Sequence, residues 1–104
     1  MSEAATVKKF IERLKKLRAA GAHVWWHKLA ASPWGNGGCP DVLTCIDGAF
    51  LALEFKEAGN EASEIQKREI AAINAANGSA LVVWNVEEAM THVKQRLRKW
   101  EASR

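Results

Sequence analysis

Apolar residues recur along this chain with two different periods, and these periods predict helices and strands in a definite order. Near the N-terminus they lie three or four positions apart, as on one face of a helix that Ser2 caps and Gly21 ends. The members of this stripe are Val7, Phe10, Ile11, Leu14 and Leu17. A similar stripe predicts a last helix, and its members are Val86, Met90, Val93, Leu97 and Trp100.

Capping signals predict where the two later helices begin. Ser63-Glu64-Ile65-Gln66 has the capping-box pattern, in which the first and fourth side chains satisfy each other's backbone N–H groups. Asn85 to Glu88 repeats the pattern before the last helix. Asn77 and Gly78 end the helix that Ser63 opens.

Strand signals fill the remaining segments. Residues 22–29 alternate, with His23, Trp25 and His27 on one face. Asp47-Gly48 is a two-residue turn signal between two apolar runs and predicts a β-hairpin within 38–56. The continuous apolar run 80–84 is typical of a strand covered on both faces. The predicted order is α-β-β-β-α-β-α, an α/β fold whose mixed sheet is flanked by helices.

The overall composition is that of one globular domain. The 104 residues are enough for a single domain over 1–104, and they contain no apolar run near the roughly 20 residues that span a membrane. The two cysteines, Cys39 and Cys45, lack the spacing of a structural zinc site. We expect a reduced, cytoplasmic protein.

The formal net charge of +3 is compatible with nucleic-acid binding but does not establish it. Lysines and arginines of the first helix lie mostly off its apolar stripe, and two interpretations stay open for them: a solvated surface, or contacts to phosphates. Two interpretations also stay open for His27, a structural residue or a general base. Trp25 and Trp26 are interpreted as core or interface residues rather than as a base-stacking surface.

The hairpin brings two acidic residues together. If Asp47 and Gly48 form the turn, Val42 pairs with Leu53 and Asp41 lies opposite Glu54. Carboxylates that face each other across two strands repel, so this pairing indicates a cation between them. Carboxylate oxygens are hard ligands, and we therefore expect Mg²⁺, with Mn²⁺ as a substitute. Since side chains alternate along a strand, Lys56 lies on the same face as Glu54.

These residues resemble a known family of nucleases. Pro40-Asp41 followed by Glu54-Phe55-Lys56 resembles the PD-(D/E)xK nucleases, and the closer resemblance is to the virus-type replication-repair nuclease (VRR-NUC) domain. That family has Gly-x-Pro-Asp, Glu-x-Lys, a loop glycine and Ser-x-x-Gln. The corresponding residues here are Gly38 to Asp41, Glu54 to Lys56, Gly59, and Ser63 to Gln66.

The resemblance implies a restriction-endonuclease-like core and metal-dependent hydrolysis of DNA. It implies that the Phe55 carbonyl and an acidic residue of the first helix help to hold the metal. That residue is either Glu3 or Glu12, and Glu3 is favoured. Gln66 is either a helix-capping residue or a site residue, and the resemblance favours a site role.

The resemblance also bears on partners. Lys28 corresponds to a basic residue that precedes the loop, and we expect it to contact DNA. Two interpretations stay open for Gly37 and Gly38: a close approach to the DNA backbone, which their lack of side chains permits, or a flexible connector. Small members of the family suggest a phage-type homodimer that cuts branched DNA such as four-way junctions. Five tryptophans are many for so small a core, so the candidates for the dimer interface are Trp25, Trp26, Trp34 and Trp100. The alternative is a non-catalytic nucleic-acid-binding module with the same fold.

Overall fold

The computed structural model describes residues 1–30, 32 and 35–97. Its elements follow the predicted order: α1 (Glu3–Ala19), β1 (Val24–Lys28), β2 (Val42–Ile46), β3 (Ala49–Phe55), α2 (Glu64–Ala75), β4 (Ser79–Val83) and α3 (Val86–Arg96). None of these helices has the length and hydropathy that crossing a membrane requires. Trp34, Trp100 and the C-terminal residues 98–104 lie outside the described residues.

The four strands form one mixed sheet in the order β1-β2-β3-β4. β1, β2 and β3 are antiparallel neighbours, whereas β4 pairs parallel to β3. Asp47 and Gly48 have φ angles of 49° and 85°, as a type I′ turn requires. Val42 pairs with Leu53, which confirms the predicted register of the hairpin.

The main core lies between one face of the sheet and the helices α1 and α3. The apolar stripe of α1 contributes Val7, Phe10 and Leu14, all buried. Phe10 contacts Phe55 of β3 with the ring centroids 5.3 Å apart, and Phe55 is fully buried. Because alternate residues of β3 enter this core, the residues between them, including Glu54, lie on the opposite face.

Helix α2 covers part of that opposite face. The Asn74 side chain makes two hydrogen bonds to the backbone of Ala80 in β4, at 2.8 and 3.0 Å. Neither Trp25 of β1 nor Phe50 of β3 is covered, and their exposed fractions are 52% and 39%. The two tryptophans of β1 therefore differ: Trp26 is half-buried against the core, with the Arg18 guanidinium 4.2 Å from its ring centroid.

The helix starts agree with the capping signals, with one difference in detail. Ser2 Oγ accepts from the Ala5 N–H, and Asn85 Oδ1 accepts from the Glu88 N–H. Glu88, however, accepts a hydrogen bond from the side-chain amide of Asn85 rather than from its backbone N–H. The second predicted capping box is therefore only half formed, and its Glu88 carboxylate is bonded to the Asn85 side chain instead.

Candidate metal centre

Asp41 and Glu54 lie side by side at one end of the hairpin. Asp41 immediately precedes β2, and the Val42–Leu53 pair places it opposite Glu54. Asp41 Oδ2 accepts a hydrogen bond of 2.9 Å from the Phe55 N–H. The Asp41 carbonyl accepts from the Leu29 N–H, also at 2.9 Å. Bonds to the strand on each side thus hold Asp41 and its carboxylate in one orientation.

Glu54 is a carboxyl group buried on the α2 side of the sheet, with only 2% of the residue exposed. The pKa of Glu54 is raised from its usual value to about 7, first by burial and then by the neighbouring Asp41 charge, while the Lys56 amine lowers it in part. The charged form of Glu54 is therefore disfavoured unless a cation lies beside it.

One oxygen of Glu54 has no partner. Oε2 accepts from Gln66 Nε2 at 3.0 Å and lies 3.6 Å from Lys56 Nζ. Oε1 is buried and makes no hydrogen bond to any described residue. A buried carboxylate oxygen without a partner is costly, and a hard divalent cation would satisfy it. This geometry and donor set fit Mg²⁺ or Mn²⁺.

The protein ligands for such a cation would be few. Among the described residues, no three His, Cys, Asp or Glu side chains are grouped closely enough to hold a metal on their own. Mg²⁺ is commonly bound through one or two carboxylates together with waters and substrate phosphates. Asp41 and Glu54 would meet that requirement, while ligation by the Phe55 carbonyl stays a prediction.

Lys56 lies on the same face as Glu54. Its backbone N–H donates to the Val83 carbonyl at 3.0 Å, which extends the β3–β4 pairing by one position. Its side chain is 17% exposed, so the amine is held near the carboxylates rather than free in solvent. The site therefore contains two carboxylates and one cationic amine, the arrangement that the alternation of the hairpin predicts.

Gln66 caps its own helix and also contacts the buried Glu54, while a catalytic role for it stays a prediction. Its Oε1 accepts from the Ser63 N–H at 2.8 Å, and its own N–H donates to Ser63 Oγ at 3.2 Å, which completes a capping box. Its Nε2 at the same time donates to Glu54 Oε2. The first turn of α2 is thereby tied to the buried carboxyl group.

The two candidate acidic residues of α1 differ in position. Glu3 is the first residue of the helix, and its charge contributes to the raised pKa of Glu54. Glu12 lies further along the helix and borders a groove together with Arg13. The structure therefore brings Glu3, not Glu12, within electrostatic reach of Glu54, while its role as a ligand stays a prediction.

The three residues expected to contact DNA differ in how exposed they are. Lys28 is exposed at the end of β1, and Gly37, with a φ of 61°, is open to solvent. Gly38 is different: a Cβ there would lie 2.4 Å from Ile65 Cγ2 and 2.5 Å from the Ile65 carbonyl oxygen. Gly38 thus lets the loop pack directly against α2, and DNA contact by these three residues stays a prediction.

Sequence reasoning missed two neighbours of the carboxylates. Cys39 is half-buried, and burial raises the pKa of its thiol, with further contributions from Glu69, Glu54 and Asp41. Nothing in the spacing of Cys39 or Glu69 indicates this proximity, because it depends on how α2 packs against the loop. The contact between Gly38 and Ile65 was missed for the same reason.

Comparisons with known proteins agree on the fold. No protein-family model and no curated protein sequence matches the chain. A solved structure described as a VRR_NUC domain protein aligns with a TM-score of 0.75 at 20% identity, covering 94% of this chain and 89% of that one. A second, described as a VRR_NUC domain, aligns with a TM-score of 0.69 at 21% identity, covering 88% and 94%. The chain therefore has the nuclease-like fold of VRR_NUC domains, which confirms the fold that the motifs implied.

Proposed function

We propose that this protein is a Mg²⁺-dependent endonuclease that hydrolyses phosphodiester bonds of DNA. The observation that carries the proposal is the buried Glu54 carboxyl group, which has one unpartnered oxygen and lies beside Asp41 and Lys56. The VRR_NUC fold of the chain supports the same assignment. Asp41 and Glu54 are the proposed ligands, with the Phe55 carbonyl and Glu3 completing the set directly or through water.

Each residue of the site has a distinct part in this proposal. A bound Mg²⁺ would polarise the scissile phosphate and make its bound water more acidic. The Lys56 amine orients the attacking water or stabilises the negative charge that develops on the phosphate. Gln66 holds the Glu54 carboxylate in place through the hydrogen bond to Oε2. Asp41 is held by the Phe55 N–H.

The experiment that tests this proposal compares cleavage of linear and branched DNA by the wild type, Asp41→Ala and Glu54→Ala. We expect cleavage only with Mg²⁺ or Mn²⁺, and none by either variant, while both variants remain folded and bind DNA. Cleavage by either variant at near the wild-type rate would refute the metal-site assignment. Binding without cleavage by the wild type would support the alternative, a non-catalytic nucleic-acid-binding module.

The resemblance further supports a homodimer that cuts four-way junctions. A two-fold dimer presents two sites to two symmetry-related strands, as a junction requires. Trp25, 52% exposed on the edge strand β1, is the candidate interface residue within the described chain. Light scattering at micromolar protein concentration, combined with cleavage of a junction and of linear duplex, tests this part separately. A monomer that prefers linear DNA would refute the dimer and leave the metal chemistry intact.

A further inference from the structure

Trp84 is an exposed aromatic residue next to the proposed catalytic lysine. It directly follows β4, and the pairing of Phe55 with Val83 continues so that Trp84 lies beside Lys56. On the α2 side of the sheet it borders a small groove together with Val82. The Trp84 residue is 41% exposed, although apolar side chains of this size are usually covered.

The ring of Trp84 is nevertheless held in one place. Its Nε1–H donates a hydrogen bond of 2.8 Å to the Asn60 carbonyl, in the loop between β3 and α2. A tryptophan that is fixed at one edge and exposed over part of its surface offers a preorganised ring for stacking. Stacking on such a ring costs little conformational entropy, because the side chain is already ordered.

Trp84 lies at the end of the sheet and also borders a second, larger groove, which runs along α1 on the other side of the sheet. This groove encloses about 650 Å³ and lies between α1 and the start of α3. Three cationic residues border it along one stripe of α1: Lys9, Arg13 and Lys16. The groove also reaches Met1, close to Glu3, which is the end of α1 that is electrostatically coupled to Glu54. The groove therefore extends along α1 from the end that is electrostatically coupled to Glu54 as far as Lys16.

The charges in this groove favour an anionic strand. Its two acidic residues are Glu12 and Glu87, and Glu87 is already paired with Arg13 at 2.9 Å. Lys9 and Lys16 make no ion pair with any residue that the structure describes. An exposed aromatic ring beside unpaired lysines is the combination that binds single-stranded nucleic acid, in which bases stack and phosphates contact cations.

We propose that an unpaired DNA strand, continuing from the scissile phosphate, lies in this groove with one base stacked on Trp84. In this arrangement Lys9 and Lys16 contact its phosphates. The direction of the strand relative to the scissile phosphate rests on the proposed nuclease function, whereas the binding itself does not. A branched substrate supplies such unpaired nucleotides next to a duplex, and the groove would allow the protein to distinguish it from continuous duplex.

The test is the affinity for a fluorescently labelled oligothymidylate, measured by anisotropy in EDTA so that no cleavage occurs. Trp84→Leu keeps an apolar side chain but removes the ring, and we expect it to weaken binding about tenfold, within the range found for one stacked base. Trp84→Phe keeps a ring but loses the hydrogen bond to Asn60, and we expect an affinity within about threefold of the wild type.

The matched control is Phe50→Leu. Phe50 is another exposed aromatic residue of the sheet, 39% exposed, but it does not border the groove, so we expect the DNA affinity of this variant to equal that of the wild type. The double variant Lys9→Ala, Lys16→Ala should reduce the slope of log K against log salt by about 1.4, or about 0.7 per phosphate contact to a single strand. Thermal unfolding of each variant confirms that it is folded.

Three outcomes would overturn the proposal. Unchanged affinity in Trp84→Leu would exclude stacking, and an unchanged salt slope in the lysine double variant would exclude phosphate contacts in the groove. A change of oligomeric state in Trp84→Leu, measured by light scattering, would make the groove an interface between protein copies. A wild-type protein that binds through Trp84 but cleaves no DNA would refute the nuclease and leave the groove assignment intact.

Discussion

Replacing Glu54 by glutamine should stabilise the metal-free protein, although it removes a proposed metal ligand. Glutamine is nearly the same size, remains neutral at every pH, and keeps an oxygen that can accept from Gln66 Nε2. The wild-type carboxyl group, by contrast, must lose its proton inside the protein as the pH rises, beside Asp41 and with Oε1 unpartnered. The difference in unfolding free energy between the wild type and Glu54→Gln should therefore depend on pH.

The magnitude follows from the pKa of Glu54. That pKa is raised from 4.5 to about 7, and its side chain is only 3% exposed, so solvent screens the effect little. At about 1.36 kcal/mol per pKa unit, this change in pKa corresponds to about 3 kcal/mol of unfolding free energy. Below the unfolded-state pKa, Glu54 is protonated in both the folded and the unfolded state, and the carboxyl group costs no stability. Between the two pKa values the unfolded state releases its proton first, and stability falls until the pH passes the folded pKa.

The assay is urea unfolding in EDTA, carried out at about pH 5 and about pH 8 for the wild type and Glu54→Gln. We expect a small difference at the lower pH and a gain approaching about 3 kcal/mol for the variant at the higher pH. Saturating Mn²⁺ should reduce the difference in unfolding free energy between the two proteins at the higher pH, because the wild type binds the metal more tightly than the variant does.

Glu87→Gln is the matched control, because the pKa of Glu87 is lowered in the folded protein whereas that of Glu54 is raised. A hydrogen bond and the charge of Arg13 hold the pKa of Glu87 below its usual value. Its contribution to stability is present above the unfolded-state pKa and is lost as the pH falls, so this substitution should destabilise the protein at the higher pH. If Glu54→Gln is no more stable than the wild type at the higher pH, the reasoning about a costly buried carboxylate is wrong.

Two further predictions concern the loop and the lysine, and a third concerns the metal. Gly38→Ala should destabilise the protein more than Gly37→Ala. Both residues have a positive φ, which costs about 1–2 kcal/mol for alanine, but only at Gly38 would the added methyl group also collide with Ile65. Equal melting temperatures of the two variants would contradict this. Lys56→Ala should lower turnover by orders of magnitude while calorimetry shows Mn²⁺ affinity unchanged or higher, whereas a lost metal site would indicate a structural lysine. Ca²⁺ should support DNA binding without cleavage, since its looser coordination makes bound water less acidic, and rapid cleavage in Ca²⁺ would contradict the mechanism.

Much of this fold could be predicted from local sequence signals. The turn at Asp47 and Gly48 sets the hairpin register, and because side chains alternate with period two, that register alone places Asp41 opposite Glu54 and Lys56 on the same face. The capping box at Ser63 is equally local, since its partners are three residues apart. Signals of this kind are readable because the geometry of a turn or a helix end depends on a few adjacent residues.

The tertiary structure decided the contacts between elements that are distant along the chain. The packing of α2 against the sheet lets Gln66 act on Glu54 while it caps its own helix, so the sequence could only leave these roles as alternatives. The raised pKa of Glu54 likewise depends on burial beneath several elements, which no spacing along the strand reveals.

The position of Trp84 was also decided only by the tertiary structure. In the sequence it is the last residue of an apolar run that predicts a strand covered on both faces. The parallel pairing of β3 with β4 instead leaves its ring exposed beside Lys56, at the end of a groove bordered by Lys9 and Lys16. The physical reason is that a hydrophobic pattern reports which residues are apolar, whereas exposure depends on which neighbouring elements extend far enough to cover them.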